Sequence, residues 1–336
     1  MCRWRDGIAA GAIVVAVSLA PGAAVAEDIR ILMALPAATL TFSAPFLAED
    51  AGFYKKEGLN VSHRTIVGVG AVNAVIAGSA DFTIGTGPVF LRAAAQGQRL
   101  YAIANLIDKP LVELVLRKDV AQAAGITAAT PLATRAKALR GKTIGIQGVN
   151  SIVHAWERLV ANRGGLDIEQ DVRIAPMEPS AMLAALDTKS IDGYATSLPY
   201  TTEAVVKGDA IMLASAVSDA PDLLPFAYGL VYTRPDTCTK AREKCVRVAR
   251  ALADANRFIL EQPADALALL KKRFARMDAA VLAAAWPIVA KAHAHDLRVT
   301  VPALEHSQQV SLEAKLLDPK DALGKFDGLY TDEFVH

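Results

Sequence analysis

Short apolar runs alternate with stretches of mixed apolar and polar residues along the first third of the chain. Runs of four to eight apolar or alternating residues bounded by glycine or polar turns favour strands. The intervening stretches favour helices, such as the one that stops at Gly58. Strands and helices in this alternation predict a mainly parallel α/β sheet. The predicted strands are 29–35, 59–67, 81–87 and 100–106.

The same pattern restarts in the middle of the chain. A longer strand, LVELVLRKD (111–119), is followed by a polar, alanine-rich connector and then by strands at 142–148, 171–177 and 191–197 with helices between them. FAYGLVYTR (226–234) has the composition of one more strand, and the sequence from about 239 onward is helical. Two α/β halves in succession predict two lobes.

The first 26 residues have the composition of a secretory signal peptide. Arg3 and Arg5 precede the uncharged apolar run GIAAGAIVVAVSLA, and Ala24-Val25-Ala26 supplies a small-residue cleavage signal. The alternative is a membrane anchor, but the run is short for a span and small residues crowd its end. We expect cleavage after Ala26 and export to the periplasm.

Net charge and cysteine content indicate which partners and which cellular compartment are compatible with the chain. The net charge of +1 argues against a nucleic-acid partner, which would require a basic face. Beyond the predicted signal peptide, Cys238 and Cys245 form an even pair, which suggests a disulfide in an oxidising compartment. On one continuous helix their Cα atoms would lie about 10 Å apart, too far to bridge. Cys238 must therefore precede the helix and fold back.

The chain lacks the residue spacing of the known nucleotide-binding and catalytic motifs. The segment LRGKTIGIQGVNS (139–151) contains GKT, but a phosphate loop would need glycine where Ala136 stands, and GKT precedes the strand. In GVGAVN (68–73), Asn73 replaces the third glycine of a dinucleotide fingerprint. No G-x-S-x-G occurs, and His293, His295 and Asp296 lack metal-ligand spacing. We expect neither catalysis nor a cofactor or metal.

Three loops with small residues follow predicted strands: GVG (68–70), GTG (85–87) and QGVNS (147–151). Open α/β sheets bind ligands at such strand ends. In the third loop, Asn150 or Ser151 would cap the next helix, and the first-turn N–H groups could then bind an anion. The alternative is ordinary helix capping, worth about 1 kcal/mol, which needs no ligand.

Four blocks together resemble a known family: 45–61, 74–87, 139–151 and 182–200. They are similar to the sulfonate/taurine/nitrate-type periplasmic substrate-binding proteins of ABC importers, which share their fold with thiamine-pyrimidine precursor binding proteins. The resemblance implies a type II periplasmic-binding-protein fold, in which two α/β lobes are joined by two crossing hinge strands. Lobe I would comprise 27–113 and 231–336, and lobe II 114–230.

The resemblance also implies ligand-binding positions. Leu198 stands where many members carry an acidic residue, so a cationic ligand would lack its counter-charge, which favours an organic anion or a partly apolar ligand. Tyr200 and Tyr228 could form an aromatic wall or belong to the core. The positions carried over are Thr39, Thr41, Phe42, Gly70, Thr86, Asn150, Ser151, Leu198, Tyr200 and Tyr228.

The expected function is that of a monomeric solute-binding protein that delivers a small organic anion to an ABC permease in the inner membrane. Sulfonates, taurine, nitrate and aromatic carboxylates remain open as ligands. The alternatives are a thiamine-pyrimidine precursor binding protein and a ligand-loaded sensor partner. Pyrimidine synthases of the same fold carry a cysteine-rich iron segment, which this chain lacks. Ser151→Ala is expected to weaken binding by about 1–3 kcal/mol.

Overall fold

Ten strands form two separate five-stranded sheets. The computed structural model describes Met1 and residues 29–335. The first sheet has the order β2-β1-β3-β10-β4 and the second the order β7-β6-β8-β5-β9. The strands are β1 (Ile29–Leu35), β2 (Leu59–Thr65), β3 (Phe82–Gly85), β4 (Tyr101–Asn105), β5 (Glu113–Arg117), β6 (Thr143–Ile146), β7 (Arg173–Pro176), β8 (Gly193–Thr196), β9 (Ala210–Ser215) and β10 (Leu230–Thr233).

Each sheet is mainly parallel, as predicted, with one strand that runs the other way. In the first sheet β10 is antiparallel to β3 and β4, and in the second β5 is antiparallel to β8 and β9. The chain therefore crosses between the sheets twice, from β4 to β5 and from β9 to β10. These crossings lie at the predicted hinge strands.

Helices cover both sheets. We call the first sheet with α1–α4 and α12–α16 lobe I, and the second sheet with α5–α11 lobe II. The helices are α1 (Ser43–Asp50), α2 (Phe53–Lys56), α3 (Gly70–Ile76), α4 (Gly87–Ala95), α5 (Lys118–Ala123), α6 (Leu132–Ala136), α7 (Ile152–Arg163), α8 (Ile168–Asp171), α9 (Pro179–Asp187), α10 (Tyr200–Lys207), α11 (Ala216–Asp219), α12 (Pro235–Lys240), α13 (Arg242–Glu261), α14 (Pro263–Arg273), α15 (Ala279–Ala290) and α16 (Val301–Glu313).

The strand predictions locate nine of the ten strands and miss β9. Its sequence, AIMLAS, is a short apolar run without alternation, and periodicity alone cannot distinguish such a run from part of a helix. β5 begins at Glu113 and β10 at Leu230, each one residue before the predicted start of a lobe segment. We propose that the lobes divide at 113/114 and 230/231.

Cys238 and Cys245 form a disulfide and lie in two separate helices, as the sequence predicts for a bridged pair. Cys238 lies in α12, Cys245 lies in α13, and the chain breaks helical geometry at Ala241, where φ is −138° and ψ is 61°. The break brings the two Cα atoms to 5.6 Å and a disulfide joins the side chains. This distance falls within the normal range for a disulfide.

The predicted signal peptide lies, apart from Met1, outside the described residues. Within the part of the chain that the structure describes, every helix is too short or too polar to cross a lipid bilayer. The apolar helix α15 instead packs against α14 and α10, and Trp286 at its centre donates from Nε1 to the carbonyl of Pro263 at 2.7 Å. Its apolar composition therefore reflects core packing.

Candidate functional site

A small cavity lies between the two lobes, where the loops after several strands meet. It is narrow, with a volume of about 40 Å³. Its lining, taken over the described residues, contains hydroxyls, one amide and apolar groups but no charged side chain. The lining residues are Pro36, Thr39, Thr41, Phe42, Gly68, Val72, Gly85, Thr86, Val89, Gln147, Ser151, Ile152, Ser197, Tyr228 and Tyr232.

Direct contacts hold the lobes together around this cavity. The N–H of Leu40 donates to the carbonyl of Leu198 at 3.1 Å, and the hydroxyl of Tyr200 donates to the carbonyl of Ala38 at 3.3 Å. A side-chain carbon placed on Gly148 would lie 3.8 Å from the Cα of Gly68, so the first and third glycine loops face each other across the cleft.

Four hydroxyls of lobe I line the cavity without a hydrogen-bond partner. They belong to Thr39, Thr41, Thr86 and Tyr232, and all four oxygen atoms are buried. A buried polar group left unpaired costs about 1–3 kcal/mol, so such groups are normally satisfied. Four such hydroxyls around one cavity therefore require hydrogen bonds from water or from a bound ligand.

Lobe I offers these hydroxyls rather than backbone donors. Thr86 is the N-cap of α4, yet its side chain makes no capping hydrogen bond. The N–H of Gly87 donates to the carbonyl of Ala227 at 2.6 Å, and the next residue, Pro88, has no N–H. The amino end of α4 is therefore poor in free donors, and the Thr86 hydroxyl is its main polar contribution.

Lobe II presents a capped helix. Ser151 is the N-cap of α7, as predicted: its Oγ accepts from the N–H of His154 at 3.5 Å and donates to the carbonyl of Gly148 at 2.7 Å. Asn150 adopts a left-handed backbone with φ of 61°, and its N–H donates to Nδ1 of His154 at 3.1 Å. The first-turn N–H groups of Ile152 and Val153 remain without intrahelical acceptors.

Other polar groups of the cavity are paired with one another. The hydroxyls of Ser197 and Tyr228 lie 3.2 Å apart, and Thr196 Oγ1 donates to Oε1 of Gln147 at 2.9 Å. Burial raises the pKa of Tyr228, and the contact with Ser197 offsets part of that rise. Tyr228 therefore remains a neutral phenol at physiological pH.

The structure brings six of the ten predicted positions into the lining. The four outside it have other contacts: Leu198 is buried in the core and offers only its carbonyl to Leu40, and the Tyr200 hydroxyl is bound to lobe I. Asn150 is exposed. Gly70 lies outside the lining, and Gly68 of the same loop borders the cavity instead. The six in the lining are Thr39, Thr41, Phe42, Thr86, Ser151 and Tyr228.

Tyr232 is the most informative residue that the sequence prediction missed. Tyr228 and Tyr232 are four residues apart along an extended segment, and residues at even spacing on a strand share a face. That spacing could have identified Tyr232 once Tyr228 was proposed. Its ring also requires a glycine opposite, because a Cβ on Gly85 would collide with the tyrosine oxygen. The other missed residues are Pro36, Gly68, Val72, Gly85, Val89, Gln147, Ile152 and Ser197.

The lining lacks metal ligands of the usual types, such as His, Cys or carboxylate side chains. Over the described residues, no three His, Cys, Asp or Glu side chains gather in a way that could hold a metal ion. What the cavity can supply is hydrogen bonds from neutral groups, the positive end of the α7 dipole and aromatic contact from Phe42, Tyr228 and Tyr232.

Similar structures define the class of fold. A protein from Bordetella bronchiseptica RB50 superimposes with a TM-score of 0.76 at 21% identity, covering 92% of this chain and 96% of that one. The alkanesulfonate-binding protein SsuA from Xanthomonas axonopodis pv. citri, bound to MOPS, gives 0.70 at 18% identity, covering 89% and 97%. The periplasmic nitrate-binding protein NrtA from Synechocystis PCC 6803 gives 0.70 at 14%, covering 92% and 87%.

The chain therefore has the two-lobe periplasmic-binding-protein fold. No curated protein matches it in sequence. Residues 40–266 match the profile of the family described as NMT1/THI5 like. The protein belongs to the NMT1/THI5-like family.

Proposed function

We propose that this protein is the solute-binding component of an ABC importer, exported to the periplasm, and that it captures a small organic anion between its lobes. It would act as a monomer and deliver the ligand to a permease in the inner membrane. The observation that carries the proposal is the set of four unpaired hydroxyls around the interlobe cavity. A ligand in the cavity can exchange hydrogen bonds with these groups in place of the water that fills an unliganded cleft.

The donor set supports an anionic or neutral ligand over a cation. The cavity has no carboxylate to balance a positive charge, whereas hydroxyls and the first turn of α7 can all donate to oxygen atoms of a sulfonate, nitrate or carboxylate. The Leu198 side chain is buried in the core and does not face the ligand, but the cavity lining itself is free of acidic residues.

Cavity volume supports a ligand whose buried part is small. A single water molecule needs roughly 10–15 Å³ of such space, so about 40 Å³ holds a group of only a few heavy atoms while the lobes keep their present positions. A nitrate ion or the head group of a sulfonate or carboxylate is of this size. A larger buried moiety would require the lobes to move apart.

A thermal-shift screen of the exported chain tests the proposal. The panel would contain alkyl and aromatic sulfonates, taurine, nitrate, aromatic carboxylates and thiamine precursors. A ligand at about 100 times its dissociation constant adds roughly 2.7 kcal/mol, which raises the melting temperature by several degrees. Stabilisation by one anion class supports the proposal.

Two other results would contradict it. Stabilisation by thiamine precursors alone would replace the anion with a pyrimidine ligand. Stabilisation by an anion, combined with binding to a membrane receptor and no permease-dependent uptake, would replace transport with a sensor role.

A further inference from the structure

A second open space adjoins the cavity, in a groove between α3 and α4. Each helix contributes one stripe of residues at i, i+3, i+4 and i+7, which is one face of a helix. The volume of the groove is about 410 Å³, against about 40 Å³ for the cavity. The lining residues are Val69, Val72, Asn73, Ile76, Val89, Arg92, Ala93, Gln96 and Gln98.

The groove and the cavity are neighbours that share two walls. Val72 and Val89 line both spaces, so these two side chains stand between them. The lining combines apolar side chains with the polar side chains of Asn73, Arg92, Gln96 and Gln98. Along α4, Arg92 lies six residues beyond Thr86, which corresponds to about 9 Å of helix.

Arg92 is the charged residue of this groove. Its side chain is half-buried, and no acidic side chain lines the space. Among the described residues its guanidinium has neither an ion-pair nor a hydrogen-bond partner. Burial lowers the pKa of Arg92, the direction expected for a cation that has lost water without gaining an anion. The guanidinium nevertheless stays protonated and keeps its planar set of donors.

We infer that the groove binds the distal end of a two-headed ligand, an organic anion whose second carboxylate or sulfonate pairs with Arg92. The inference rests on the proposed function, since the first head occupies the cavity. An apolar chain or ring would pass Val72 and Val89, and the amides of Asn73, Gln96 and Gln98 could complete the hydrogen bonds. Charge complementarity supports this occupant, because an unpaired arginine is matched by an anion.

Titration calorimetry with matched ligand pairs tests the inference. Each pair combines an alkanesulfonate or monocarboxylate with its counterpart of equal chain length that carries a terminal carboxylate, over a series of increasing length. In the wild-type protein the second carboxylate should raise affinity by about tenfold, most strongly at the length that spans about 9 Å. Arg92→Gln should remove this gain and leave the affinity for the singly charged member unchanged.

Two further variants separate the sites. Thr86→Val, at the cavity, should weaken both members of a pair. Arg99→Gln removes an exposed arginine outside the groove and should weaken neither, which excludes a general effect of net charge.

The possible failures are distinguishable. If singly charged ligands bind but the second carboxylate adds nothing, or if Arg92→Gln preserves the gain, the groove inference is wrong and the proposed function stands. If no member of any pair binds, the proposed function fails and the inference fails with it. If Arg92→Gln lowers binding to inner-membrane vesicles while ligand affinities are unchanged, Arg92 contacts an acidic protein partner instead.

Discussion

Two hydroxyl residues occupy equivalent places on opposite sides of the cavity and are used differently. Thr86 is the N-cap of α4 in lobe I, and Ser151 is the N-cap of α7 in lobe II. The Ser151 hydroxyl both donates and accepts within its own loop, whereas the Thr86 hydroxyl has no partner. The comparison teaches that the N-cap hydroxyl of lobe I is free to bind a ligand, whereas that of lobe II is satisfied within its own loop and leaves only backbone N–H groups of α7 as donors.

The unpaired polar groups of lobe II lie elsewhere. They cluster on α7 and include both carboxylate oxygens of Glu157, the indole nitrogen of Trp156 and Nε2 of His154. Glu157 is fully buried, and this burial raises its pKa well above the usual range. Lobe I therefore has unpaired groups at the cavity as well as in its interior, for example at Asn105 and His293, whereas the unpaired side-chain groups found among the described residues of lobe II all lie outside the cavity lining.

The largest expected effect is at Glu157 and concerns stability. Below the unfolded pKa of about 4.5, the carboxyl is neutral in both states and Glu157→Gln should match the wild type. Above that pH the unfolded chain releases its proton while the folded chain retains it, so wild-type stability falls by about 1.4 kcal/mol per pH unit until the folded pKa is reached. Urea unfolding of both proteins over a pH range of roughly 4 to 8 measures the difference.

The outcome at Glu157 decides whether lobe II really holds an unpaired acid. The variant should become progressively more stable than the wild type as pH rises. If the free energy of unfolding changes with pH in the same way for both proteins, the Glu157 carboxylate is ionised and paired in the folded state. Lobe II would then hold no unpaired acid at this position.

A smaller effect is expected at Thr86, where Thr86→Val removes an unpaired hydroxyl at nearly constant shape. Ligand affinity should fall by about tenfold, while the unliganded protein should unfold at the same or a slightly higher denaturant concentration, because a buried unsatisfied group is lost. Calorimetric titration with the anion identified by thermal shift, together with urea unfolding, measures the two quantities.

Thr233→Val provides the matched control. The Thr233 side chain is fully buried, its hydroxyl donates to the carbonyl of Asp81 at 2.6 Å, and it does not line the cavity. This variant should lose about 1 kcal/mol of stability and keep its ligand affinity. If both variants behave alike, the unpaired state of Thr86 has no functional meaning.

The contrast between Thr86 and Ser151 also marks the limit of sequence prediction here. Strand-helix alternation was sufficient for two mainly parallel sheets, and small residues after strands pointed to the loops that surround the cavity. Both threonine and serine are good N-cap residues, however, so sequence cannot tell which hydroxyl is committed to its helix. That depends on side-chain rotation within the assembled cleft, as does the burial of Leu198 away from the cavity.

The same limit applies to β9 and Tyr232. A run such as AIMLAS becomes a strand because β5 offers an edge to pair with, a tertiary cause that periodicity does not contain. The position of Tyr232 over Gly85 joins two strands distant in sequence. Those contacts form only when β10 returns to lobe I.

The smallest effect is expected at Ser151, and it separates capping from ligand binding. The sequence alone predicts that Ser151→Ala weakens binding by about 1–3 kcal/mol, but in the structure the hydroxyl proton is donated to the carbonyl of Gly148. We therefore expect Ser151→Ala to lose about 1 kcal/mol of stability from the missing cap and to lose less affinity than Thr86→Val. Backbone N–H groups of Ile152 and Val153 would continue to face the ligand.

An affinity loss in Ser151→Ala that exceeds the loss in Thr86→Val would show that ligand binding releases the cap and turns the serine proton toward the anion. The Ser151 hydroxyl of lobe II would then contribute more to ligand affinity than the Thr86 hydroxyl of lobe I.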